Sequence, residues 1–331
     1  MRRREFITLA GGAVLPGLMP MPAAHAESAS KRPLVIWLAA YPRNPIGTTL
    51  YDAFVKGMQD QGYVEGRDHD LVRGSPEGVL DRLPAVIEEV IQLKPNVIMA
   101  NATLEAVAAH RATTTIPVVC PALADAVHLG LIASEARPGG NVTGIEPYIG
   151  GLPAKQIDLA REIVPDAKKI GLLTNLGDPK GPPQARDLEA AGHALGLPVV
   201  SANSDRSDTI EDALQTLARE KVEVVIVLQT TMFVVQAPQI AASALEKRLP
   251  TVFGYRENVI PGGLVSYGVD LRWCYRHAAY FVARILRGTS PGDLPIEFPT
   301  SFLLAVNLKT AKTLGVAIPP ALLARADEVI E

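Results

Sequence analysis

Short, continuously apolar runs alternate with helical stretches along most of the chain, and this alternation restricts the fold more than any other feature. Leu34-Val35-Ile36-Trp37-Leu38-Ala39, Val97-Ile98-Met99-Ala100 and Pro117-Val118-Val119-Cys120 read as strands buried on both faces. Between them, residues 50–61, 83–93 and 106–113 carry apolar side chains at helical spacing, as at Leu50, Phe54 and Met58. Strands that are apolar on both sides and separated by helices predict a parallel sheet covered on both faces. The pattern then returns, with strands at 169–174, 224–228 and 250–253 and helices at 185–195, 214–221 and 241–247.

The two halves can be laid side by side. Lys94-x-x-Val97-Ile98-x-x-x-x-Thr103 lies opposite Lys221-x-x-Val224-Val225-x-x-x-x-Thr230, and Ile116-Pro117-Val118-Val119 opposite Leu249-Pro250-Thr251-Val252. A duplication explains this, and so does the general likeness of any two βα units. Either way the expected fold class is α/β, with two doubly wound parallel-sheet lobes joined by a hinge that the chain crosses several times. A length of 331 residues exceeds what one core usually supports, which also favours two lobes. Turn-rich segments at Pro138–Gly144 and Pro261-Gly262-Gly263 place the crossings. The first lobe is expected to span 27–145 plus about 264–297, and the second 146–263 plus about 298–331. The helix 275–286 should pack on the first lobe, and the strand 302–306 should return to the second.

The first 26 residues read as an export signal. Arg2-Arg3-Arg4-Glu5-Phe6-Ile7 leads into a small-residue apolar stretch, and Ala24-His25-Ala26 offers a cleavage site. The arginine pair suggests a twin-arginine signal; an ordinary secretion signal is the alternative. No later stretch is apolar for long enough to span a bilayer, so the mature chain is expected to be periplasmic, without membrane insertion. Cys120 and Cys274 are the only cysteines, and their spacing favours no bridge. A formal net charge of −3 argues against a nucleic-acid partner, which would call for a basic face.

Catalytic signatures are missing. There is no Gly-Lys-Ser/Thr phosphate loop, G-x-G-x-x-G, G-x-S-x-G, H-E-x-x-H or C-x-x-C. Their absence does not exclude an enzyme but removes the usual reasons to propose one, and no catalytic residue, metal or cofactor is assigned. A binding crevice in open parallel sheets forms from loops at the carboxyl ends of strands. Residues there are Tyr41, Asn101, Thr103, Asp125, Asn175, Gln229, Tyr255 and Glu257. Tyr41 and Tyr255 offer flat walls with polar tips. Asn101, Asn175 and Gln229 supply donors and acceptors, Thr103 stands at an N-cap position, and Asp125 and Glu257 suit a ligand ammonium. Such a crevice is expected to need roughly 300–1,000 Å³.

Several longer motifs resemble one family of extracytoplasmic solute-binding proteins that serve ATP-driven (ABC-type) importers and include tryptophan and tyrosine binders. They are Ala112–Val119, Gly130-Leu131-Ile132-Ala133-Ser134, Arg137–Gly144, Gly62-Tyr63-Val64-Glu65-Gly66, Gly262–Gly268 and Ile318–Asp327. The resemblance covers essentially the whole chain and implies a type I periplasmic-binding fold with no catalytic centre. It also implies a solute trapped between the lobes and handed to a membrane permease by a monomeric receptor. Departures fall at the crevice: Ala126 follows Asp125 where the family has proline, and Asn175-Leu176-Gly177-Asp178-Pro179 replaces Asn-Pro-x-x-Pro. An amino acid or small carboxylated aromatic compound fits the residue types. The rival readings are a periplasmic sensor subunit binding the same solute, and a two-domain hydrolase or isomerase using Asp125 or Glu257 as base.

Overall fold

Val, Ile and Leu fill the central strands because both faces of each strand are covered, and the fold is two sheets built that way. The computed structural model describes residues 32–331; the expected export signal lies outside them. The first part comprises β1 (Leu34–Leu38), α1 (Pro45–Asp60), β2 (Asp70–Gly74), α2 (Leu83–Gln92), β3 (Val97–Ala100), α3 (Thr103–Ala112), β4 (Val118–Cys120) and β5 (Val142–Gly144). Then follow α4 (Leu152–Ile163), β6 (Ile170–Thr174), α5 (Gly181–Ala194), β7 (Val199–Asn203), α6 (Ile210–Arg219), β8 (Val224–Val227), α7 (Thr231–Val235) and α8 (Ala237–Glu246). The chain ends with β9 (Thr251–Phe253), α9 (Arg256–Val259), β10 (Val265–Val269), α10 (Leu271–Leu286), β11 (Phe302–Asn307), α11 (Leu308–Leu314), α12 (Pro320–Leu323) and β12 (Glu328–Ile330).

One sheet runs β2-β1-β3-β4-β5 and the other β12-β11-β10-β9-β8-β6-β7. Within the second, β7-β6-β8-β9-β10 repeats the order of the first sheet, so the two halves share a topology as well as a motif. Lys94 and Lys221, matched in sequence, also adopt the same left-handed backbone, with φ of 53° and 56°. Each closes a helix and turns the chain into the strand that follows. β11 is antiparallel to β10 and parallel to β12. No helix among the described residues is long and apolar enough to cross a membrane. Cys120 and Cys274 are free and buried.

Three connections join the lobes: after β5, between β10 and α10, and between α10 and β11. The first and third are tied together, since Glu146 N–H donates to Glu297 O and Glu297 N–H to Gly144 O, both at 3.0 Å. One expectation is corrected here. Residues 265–269, assigned in advance to the first lobe, pair with β9 and β11 in the second sheet. Their apolar run reads as a strand in either lobe; the crossing falls one step later, at Asp270, whose side chain caps α10 by accepting from Arg272 N–H at 2.9 Å.

α10 packs on α1, as expected of the helix over 275–286. The two backbones approach closely at Gly57, where a Cβ would lie 2.2 Å from Arg276 O. Gly57→Ala must push the helices apart, so urea unfolding should show a loss of about 2 kcal/mol. An unchanged midpoint would mean that α1 and α10 are not held at this spacing.

Candidate functional site

Strand order reverses direction between β1 and β3 and again between β6 and β8, and ligands of open α/β sheets sit at such switch points. Four loops start there: Ala39–Asn44 after β1, Asn101-Ala102 after β3, Asn175–Lys180 after β6 and Leu228–Thr230 after β8. The two sets of loops face each other across the lobe boundary and enclose two adjoining cavities. The larger, about 150 Å³, is lined by Trp37, Tyr41, Arg43, Tyr51 and Asn101 from the first lobe and Thr231 and Val235 from the second. The smaller, about 40 Å³, adds Leu50, Ala122, Leu271 and Tyr275 on one side and Lys180, Val234 and Tyr255 on the other.

These volumes are below the expected 300–1,000 Å³ because side chains of each lobe penetrate the other. Tyr41 extends from the first lobe and packs against the core of the second. Tyr255, rooted at the N-cap of α9, is 3% exposed and sits among Trp37, Leu50, Leu271 and Tyr275 of the first-lobe core. Burial raises both phenol pKa values. The aromatic wall is itself braced. Trp37 meets Tyr51 edge-on at 5.1 Å, Arg43 lies 5.5 Å over the Tyr51 ring, and Tyr275 hydroxyl donates to Asn101 O at 2.7 Å. Arg73 holds the loop by donating to Tyr41 O at 2.8 Å.

Of the eight residues expected in the crevice, Tyr41, Asn101 and Tyr255 line it. Thr103 does not cap its helix. It is the first helical residue, fully buried, and its hydroxyl donates to Ala122 O at 3.0 Å. Asn175 is turned inward, Oδ1 accepting from Asp178 N–H at 3.2 Å. Gln229 exchanges hydrogen bonds with Gln184 and donates from Nε2 to Gly254 O at 3.2 Å, lying in the space a Gly254 side chain would need. Asp125 has left-handed backbone (φ 54°) and pairs with His128 at 3.0 Å, lining neither cavity. Glu257 is 2% exposed, neither carboxylate oxygen has a hydrogen-bond partner among the described residues, and burial pushes its carboxyl up to about 7. It too lies outside both cavities. Hydrogen bonds within the loop for Asn175, and to neighbouring loops or helices for Thr103 and Gln229, explain the first three departures, and none of those bonds is visible from position along a strand.

Three polar groups went unanticipated. Glu105, wholly buried one turn into α3, accepts from Ala40 N–H at 2.8 Å through Oε1, while Oε2 has no partner among the described residues. Burial raises its carboxyl to about 7; Asp178 acts in the same sense and Lys180 against it. Asp178 and Lys180, also buried, come from the β6–α5 loop. Among cavity-lining atoms, Asn101 Oδ1 and Thr231 Oγ1 are buried without a partner in the described chain. Polar atoms left unpaired in a lined cleft are placed for a ligand to complete.

Comparison with known proteins agrees with this fold. The family described as ABC transporter substrate binding protein matches residues 45–330. A protein of Clostridioides difficile named tyrosine-binding protein is 26% identical over 290 residues, covering 88% of this chain and 83% of its own. A conserved domain protein from Vibrio cholerae O1 biovar eltor superposes with a TM-score of 0.84 at 26% identity, over 90% of this chain and 99% of that one. The ABC domain from Streptococcus pneumonia in complex with L-Trp has the same fold, with a TM-score of 0.84 at 22% identity over 91% and 100% of the two chains.

Proposed function

The chain belongs to the ABC transporter substrate-binding protein family, and from that premise we propose that it traps an amino acid or small carboxylated aromatic compound between its lobes and delivers it to a membrane permease. The observation that carries this reading is the composition of the cleft. Aromatic faces from both lobes surround unpaired polar atoms at the carboxyl ends of four central strands. Tyr41 and Asn101 would hold the solute from the first lobe, Tyr255 from the second, and contact with both favours the closed arrangement. The tyrosine-binding relative supports an aromatic amino acid as the guest. The export signal expected at 1–26 would carry the protein to the periplasm, where it would act as a monomer.

Thermal denaturation against a panel of amino acids and aromatic acids tests the proposal. A true solute at a hundredfold excess over its Kd adds about 2.7 kcal/mol, which should raise Tm by roughly 5 °C. No shift with any member of the panel would defeat it.

A further inference from the structure

We infer that Lys180 receives a carboxylate of the solute, so that the cleft selects acids over their amine and amide analogues. The inference rests on the solute-binding reading above and names the residue that recognises the carboxylate its candidate solutes share. Lys180 stands at the end of the β6–α5 loop, is only 4% exposed, and lines the smaller cavity. Its natural counter-ion is engaged elsewhere: Asp178 Oδ1 accepts from Lys180 backbone N–H at 2.9 Å, and Oδ2 from Thr231 N–H at 3.2 Å. Among the described residues, no hydrogen bond or ion pair reaches the Lys180 side-chain nitrogen. Glu105 on the facing lobe feels its field but lies beyond ion-pair distance and is itself shifted toward the neutral form.

An ammonium on a largely buried side chain that lines a cavity, with no hydrogen-bonded counter-ion, is placed to pair with an anion entering that cavity, where the attraction exceeds that in open water. The neighbours indicate which anion. Thr231 Oγ1 and the Asn101 side chain line the same cavity, and both have atoms without a partner. One cation with a hydroxyl and an amide suits a carboxylate; a phosphate would call for more than one cation or a cradle of backbone N–H groups. Leu50, Val234, Leu271 and Tyr255 make the remaining wall apolar, so the body of the acid should be aromatic or aliphatic.

The test is calorimetric titration of the full exported protein with acids and their matched analogues: L-tyrosine and tyramine, L-tryptophan and tryptamine, benzoate and benzamide. The expected result is that wild type binds at least one acid about 100-fold more tightly than its analogue. Lys180→Met should lose about 100-fold for that acid alone, Lys180→Arg should recover part of it, and solute-free Lys180→Met should melt no lower than wild type. The inference is overturned if Lys180→Met binds the acid within threefold of wild type, or if its solute-free form melts lower, marking the lysine as structural. Tight binding of an amine or amide by wild type would overturn it while leaving solute binding intact; silence from all six compounds would remove both.

Discussion

Tyr255→Ala should weaken solute binding by about 10²- to 10³-fold without unfolding either lobe. The ring belongs to the second lobe by chain and to the first by packing, lying among Trp37, Leu271 and Tyr275. Truncating a buried aromatic residue typically costs 3–5 kcal/mol. Here the contacts exist only while the lobes are together, so the loss falls on the closed form, and apparent affinity drops with its population. Tyr41, which makes the reciprocal contact, should behave alike on a smaller scale because it is less buried. Titration with the best solute and small-angle scattering of the solute-free protein measure the two sides of this balance. An affinity within threefold of wild type, with an unchanged radius of gyration, would show that the tyrosine is not a clasp.

Glu257→Gln should stabilise the protein at pH 8 and do almost nothing at pH 4.5. Burial raises the folded-state pKa of Glu257 to about 7, from an ordinary value near 4.5. Arg256 offsets little of this, because its guanidinium is 3.9 Å away from Glu257 and forms hydrogen bonds with Glu328 instead. The folded chain therefore holds a proton that the unfolded chain releases. Stability from this group is complete below the unfolded pKa and is lost as pH rises through about 7. By linkage the difference between variant and wild type should grow to about 3 kcal/mol at pH 8. Chemical denaturation of both proteins at pH 4.5, 6, 7 and 8 follows the curve, and Glu105, which titrates in the same range, cancels from the comparison. A constant difference across that range would place the carboxylate in contact with water or a partner.

The sequence made the central strands legible because they are apolar on both faces. Those it hid are sheet edges: β2, β7 and β12 each lie at or beside open water and mix polar with apolar residues. Searching past the ends of central strands found Tyr41, Asn101 and Tyr255, since their place in the cleft follows from topology. It could not separate a loop residue that faces the cleft from one that braces the loop, and Thr103, Asn175 and Gln229 brace. Lys180 was overlooked because a lysine six residues beyond a strand reads as solvated. It lines a cavity whose other wall comes from the opposite lobe, which no local pattern reports.

The three tethers between lobes run side by side, two of them tied by peptide hydrogen bonds between Gly144–Glu146 and Glu297. A body joined along one line has a single soft degree of freedom, a swing like that of a book on its spine. Such a swing need break no hydrogen bond within either sheet, and a few degrees at the spine become a wide aperture at the far rim. The final angle is then set by the bulk of whatever lies between the covers, so a single scaffold can shut on guests of different thickness without repacking either half.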